Sequence, residues 1–250
     1  MKEHIDTIPV NDAFDSGDEC PFCWLERKAE QSTIRYVAGP GASYMEPDVR
    51  AATDAAGFCG VHLEKLYDYG NTLGSALMLQ THMAGLLTEF RAGAEGFTPP
   101  VKHGIFGKKN SEPQETWWQR LHKRQERCFI CERREYHMTR YFHTFFVMLR
   151  EPEFREKVAA SKGFCLRHFA KLMDLAETEL PNSQHEWFYS TVLSLTEENL
   201  LRVKKDLDWL IAKYDYRNAG ADWKNSRDAL PRTMQKIQGL HPADPPYKEK

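Results

Sequence analysis

The six cysteines of this 250-residue chain fall into two copies of one arrangement: Cys20 and Cys23 with Cys59 and His62, then Cys128 and Cys131 with Cys165 and His168. Three sulfurs and one imidazole per copy is the donor count of a closed tetrahedral zinc site, and a Cys-x-x-Cys turn is the usual way to present two donors together. With all four positions filled by protein, none is left for an activated water, so the pattern predicts structural rather than hydrolytic chemistry. Two zinc ions are the expected cofactors. An iron-sulfur cluster is the alternative, disfavoured because such clusters usually draw four thiolates and take histidine less often.

Landmarks between the donors repeat as well. Glu46, Pro47 and Arg50 recur as Glu151, Pro152 and Arg155, and Gly57, Phe58, Lys65 and Leu66 recur as Gly163, Phe164, Lys171 and Leu172. The second copy is shorter, most easily in the Gly39-Pro40-Gly41 stretch. This is an internal duplication. Because each four-donor set recurs as a block, each copy is expected to hold its own ion, with Cys20, Cys23, Cys59 and His62 around one and Cys128, Cys131, Cys165 and His168 around the other.

These motifs resemble a bacterial family of unknown function built on a Cys-Pro-x-Cys turn, an acidic-Pro stretch with a following Arg, and Gly-Phe-Cys-x-x-His. The resemblance covers most of residues 1 to 240, including Thr7 to Phe14, the Met45-Glu46-Pro47-Asp48 stretch and Asp228 to Arg232. The second copy departs from it by carrying Phe129 where Pro21 stands, a position that is not a donor. The resemblance implies a family and no activity.

The elements that must position the donors read as helices. Trp24, Leu25, Ala29, Ser32, Tyr36 and Val37 recur at helical spacing before Gly39-Pro40 stops them, and Tyr136, Thr139, Phe142, Phe146 and Leu149 do the same after the second cysteine pair. Pro47 and Pro152 suit a first helical turn, and Gly57 and Gly163 the residue beyond a last one. Runs from Cys59 to Asp68 and Cys165 to Glu177 predict a third helix, whose first turn sets cysteine and histidine on one face. Longer helices follow over Thr72 to Arg91 and Gln184 to Tyr214. No stretch alternates with period two, so the expected fold is all-α: two repeated helical modules, each organised around a Cys3His metal site. Residues 1–92 form the first module, 93–115 a Gly- and Pro-rich linker, 116–216 the second module and 217–250 an extended C-terminal tail. Within that tail, Trp223, Leu230, Met234 and Ile237 are expected to dock as an apolar face.

Composition narrows the function. Lys and Arg number 34 against 36 Asp and Glu, a net charge of -2, so no global field points to nucleic acid or an anionic membrane. The basic residues Arg120, His122, Lys123, Arg124 and Arg127 beside Trp117 and Trp118 are diluted by Glu115, Glu126, Glu132 and Glu135, which describes a solvated helix face. Glu46 with Arg50, and Glu151 with Arg155, read as ordinary surface pairs. His82, His122, His137, His143 and His185 do not recur and read as ordinary residues or supports of the donors. The N-terminus carries no apolar stretch fit for a signal peptide or anchor, which predicts a cytoplasmic protein with reduced, metal-bound cysteines. Phosphate-loop, dinucleotide, His-Glu-x-x-His and haem-attachment motifs are absent. The leading reading is a two-zinc binding, adaptor or regulatory protein with a protein partner. Its competitors are an iron-sulfur or thiol-based redox protein and an enzyme using a groove between the modules.

Overall fold

The protein was analysed as a computed structural model in which residues 5–99 and 115–239 are described. Among these, eleven α-helices and no strand occur: α1 Thr7–Asp15, α2 Pro21–Ala38, α3 Pro47–Ala56, α4 Gly60–Tyr69, α5 Thr72–Ala94, α6 Trp117–Gln125, α7 Phe129–Met148, α8 Pro152–Ala159, α9 Leu166–Glu179, α10 Asn182–Ala212 and α11 Ala229–Gln238. The all-α expectation holds. Most of the linker lies outside the described residues, as does the end of the tail from residue 240.

The helix signals act where the sequence places them. Pro47 opens α3, where its missing N–H leaves no bond unmade, and Gly57 follows it at φ 62°, a left-handed turn that suits glycine. Asn71 caps α5 by accepting a hydrogen bond from the Gly74 amide at 2.9 Å, and Thr116 with Gln119 forms a capping box on α6. The second copy differs from the first at one point: α8 ends at Ala159, so Gly163, at φ 71°, turns the chain four residues beyond the helix rather than at its end.

The compact units are not the two copies. Unit 1 takes the chain up to Ala29 and again from Glu135, and unit 2 takes Glu30–Arg134. The expected modules over residues 1–92 and 116–216 are therefore each divided. The physical reason lies in helix lengths. The 18 residues of α2 rise about 27 Å and the 20 of α7 about 30 Å, whereas the return helices α3 and α8 have 10 and 8 residues and rise about 15 and 12 Å. A chain that leaves a cysteine pair along the long helix is not brought back by the short one.

Unit 1 has an aromatic core in which Phe14, Phe22, Phe142, Phe145, Phe146, Phe154, Phe164 and Phe188 are all buried. Phe22 stacks on Phe142 with centroids 4.4 Å apart, a contact worth about 1 kcal/mol beyond the area it buries. Unit 2 has a smaller aliphatic core of Ile34, Val37, Val49, Leu66, Met78 and Ile130. There the basic stretch is spent internally. Arg124 binds the Asp54 carbonyl and pairs with Glu89, Lys123 pairs with Glu115 and Arg127 with Glu132. Trp117 sits edge-on against Phe90, Phe97 and Trp118. Arg50 and Arg155 depart from the surface-pair expectation, since they donate to the carbonyls of Leu77 and Leu149 instead.

The tail corrects two expectations. Its middle is a helix, α11, because Pro231 falls in the first turn, where no intrahelical N–H is needed. It packs on α9 and α10 within unit 1, but through its polar face. Arg232, Gln235 and Lys236 are buried, whereas Leu230, Met234 and Ile237 are 55%, 40% and 48% exposed. The polar side wins because unit 1 offers it hydrogen-bonding and ionic partners. Arg232 pairs with Asp206 and Asp228, Gln235 binds Asp18, and the Lys236 ammonium donates to the carbonyls of Glu19 and Lys162, each at 2.6 Å. Replacing Lys236 with Met keeps the stem and removes the donors, which leaves two carbonyls without partners. Unit 1 of Lys236→Met is expected to lose about 2–4 kcal/mol in a denaturant melt; a change under about 0.5 kcal/mol would show that α11 is held by other contacts.

Candidate metal centres

The eight donors assemble into two sets of four, each within one unit. Cys20, Cys23, Cys165 and His168 meet in unit 1, and Cys59, His62, Cys128 and Cys131 meet in unit 2. Each set combines the Cys-x-x-Cys of one copy with the Cys-x-x-His of the other. The expectation that each copy closes its own site is thereby corrected, for the helix-length reason given above. The eight side chains that come together are those singled out in the sequence; their groupings are exchanged.

Local structure presents each half in the same way. Cys20 and Cys23 straddle the start of α2, and Cys128 and Cys131 the start of α7. Cys59 and Cys165 are the N-cap residues of α4 and α9, with His62 and His168 three residues on, in the first turn. At the start of α9 the His168 amide donates to the Cys165 sulfur at 3.4 Å, a contact that favours thiolate there. In unit 2 the Phe129 amide also donates to the Gly57 carbonyl at 2.9 Å, tying the two motifs together. Pro21, the counterpart of Phe129 in the first copy, has no N–H to do this.

The distances fit a single tetrahedral ion. At zinc bond lengths of about 2.3 Å to sulfur and 2.0 Å to nitrogen, tetrahedral edges are about 3.8 Å between sulfurs and about 3.5 Å from sulfur to nitrogen. Here Cys23 and Cys165 sulfurs are 3.5 Å apart and those of Cys59 and Cys131 3.9 Å. His168 Nδ1 lies 3.5, 3.4 and 3.3 Å from the sulfurs of Cys20, Cys23 and Cys165. His62 Nδ1 lies 3.2, 3.2 and 3.3 Å from those of Cys59, Cys128 and Cys131. All four donor atoms of a set fall within 4.8 Å of one another, and all six cysteines are free of disulfides.

A glutamate of α2 stands behind each imidazole. His62 Nε2 is 2.7 Å from Glu30, whose other oxygen accepts from Lys65 at 2.7 Å, and His168 Nε2 is 3.7 Å from Glu26, which Arg167 grips at 3.0 Å. With Nε2 turned to a carboxylate, Nδ1 is left for the sulfurs, the support that ligating histidines usually receive. Sequence reasoning missed Glu26 and Glu30. Their counterparts in the second copy are Arg134 and Met138, so the duplication gave no signal; their four-residue spacing toward two histidines is visible only once the sets are known. None of His82, His143 and His185 joins either set. They bind the Asp54 carbonyl, Glu179 and the Leu180 carbonyl.

The electrostatics describe donor sets that want a cation. Burial opposes protonation of both histidines, but Cys128 and Glu30 outweigh it at His62 and raise it to about 9, and Cys20 and Cys165 raise His168 to about 10. Burial likewise opposes ionisation of Cys128, yet His62 and the amides of Cys59 and Cys131 bring it down to about 6. Cys131 is pushed up to about 12 by burial and by the charge on Cys128. In unit 1, hydrogen bonds among the sulfurs hold Cys165 low and drive Cys23 up. Three thiolates together require a dication.

No helix among the described residues is long and apolar enough to cross a membrane. No curated protein and no solved structure matches the chain. Residues 1–244 match the profile described as "Family of unknown function (DUF6062)", and the chain belongs to that family.

Proposed function

We propose that the protein binds two structural zinc ions, one on Cys20, Cys23, Cys165 and His168 and one on Cys59, His62, Cys128 and Cys131, and that it acts in the cytoplasm as a binding, adaptor or regulatory protein. The observation that carries this reading is the pair of donor sets at single-ion tetrahedral distances. An iron-sulfur cluster interposes several irons and sulfides between its ligands, so its ligand atoms stand wider apart than these sets. Zinc would hold each set through four protein donors and supply cohesion between helix starts. It would also seal the duplication, because each ion joins one half of each copy.

A binding role is supported by a groove of about 570 Å³ on unit 1, lined mostly by apolar side chains that include Leu166, Phe169, Leu193, Leu200, Leu201 and Ile237. Leu193 and Leu201 are more than half exposed, which is a cost in water unless a partner covers them. Elemental analysis and an absorption spectrum of protein purified without oxygen test the metal reading. Two zinc per chain in a colourless solution are expected. Iron with acid-labile sulfide and a brown colour would replace zinc by clusters.

A further inference from the structure

The two centres differ in what surrounds them. In unit 1, Cys20, Cys23 and Cys165 are 0–1% exposed. The rings of Phe22 and Phe142 lie 5.8 and 6.0 Å from the His168 ring. A Cβ at Gly239 would stand 3.4 Å from the Cys165 sulfur, so backbone already occupies the approach to it. In unit 2, His62 and Cys128 are buried, but Cys59 and Cys131 are only partly so. The sulfurs of these two partly exposed residues are neighbours, 3.9 Å apart. Both belong to helix starts, Cys59 as the N-cap of α4 and Cys131 in the first turn of α7.

Resting on the zinc reading above, we propose that Cys59 and Cys131 form a peroxide-reactive pair that releases the unit 2 ion, while the unit 1 ion is retained. One of the two thiolates attacks hydrogen peroxide, breaking the O–O bond, forming a sulfenic acid and releasing hydroxide. The second thiolate attacks that sulfur, forming the Cys59–Cys131 disulfide and expelling a second hydroxide. The two sulfurs lose two electrons in all, peroxide gains them, and the two hydroxides take protons from solvent to become water. The ion loses two of its four donors and departs, because His62 and Cys128 alone do not hold it. Unit 1 presents no sulfur to an oxidant of this size.

The test uses the full chain with its zinc content measured first. Hydrogen peroxide is added at one equivalent per chain, zinc release is followed with a chromogenic chelator, and remaining thiols are alkylated before peptide mapping. The expected result is release of one zinc per chain, at least about tenfold faster than the second, with a Cys59–Cys131 disulfide and Cys20, Cys23 and Cys165 alkylated. Cys20→Ser, which empties unit 1, should leave one ion that departs at the fast rate. Cys128→Ser, which empties unit 2, should leave one that departs at the slow rate. Equal rates for both ions, or a disulfide among Cys20, Cys23 and Cys165, would overturn the proposal. Fewer than two ions before oxidant would refute the zinc reading itself, and the proposal with it.

Discussion

Cutting the chain in the 100–114 stretch is expected to abolish metal binding by either piece alone and to restore two ions when the pieces are mixed. The N-terminal piece carries Cys20 and Cys23 of one set with Cys59 and His62 of the other, and the C-terminal piece carries the complements. Neither owns a complete set. Structural zinc binding contributes on the order of 10 kcal/mol and is coupled to folding, so each piece forfeits both contributions. The cut also divides both cores: unit 1 draws Phe14 and Phe22 from one side of the cut and Phe142, Phe145 and Phe164 from the other, and unit 2 packs Ile34 and Val37 with Phe129 and Ile130. Separate pieces should therefore show little fixed tertiary structure, and the equimolar mixture should regain both the ions and a cooperative melt. A single piece that folds and retains one ion would mean that each copy closes its own site.

That contrast also shows how much of the protein was legible before its structure. The donors were legible because chemistry restricts them: cysteine and histidine at fixed spacing recur only where something holds them. Four helices per copy were legible because Pro47, Pro152, Gly39 and Gly57 punctuate apolar periods of three and four. The pairing was not, since recurrence identifies equivalent residues without saying which equivalents meet. Helix length held the missing signal. The 18 residues of α2 carry the chain too far from Cys23 for the 10-residue α3 to return it, and that comparison was available from the positions of the breakers.

The tail was misjudged for a different reason. Apolar residues at helical spacing, Leu230, Met234 and Ile237, are ordinarily the buried face of a helix. In α11 that face stays exposed, because Arg232, Gln235 and Lys236 on the opposite face join Arg27 and Arg202 in binding Glu19 and Asp18 beside Cys20. An acidic pair next to a metal donor, and a basic-polar face some two hundred residues later, share no local pattern. The same blindness hid Glu26 and Glu30, whose meaning depends on histidines from opposite copies.

Exchange of halves between the copies is the central claim, and the metal content of two double variants tests it most directly. Cys23→Ser with Cys165→Ser removes two donors from the unit 1 set and none from the unit 2 set. Cys23→Ser with Cys59→Ser removes one donor from each. Loss of a thiolate from a closed four-donor site sacrifices much of a binding energy of about 10 kcal/mol, enough to empty it under dialysis against a chelator. The first variant is accordingly expected to retain one zinc per chain and an intact unit 2, and the second to retain none. The opposite result, no zinc in the Cys23/Cys165 variant and one zinc in the Cys23/Cys59 variant, would contradict the exchanged pairing and return each ion to its own copy.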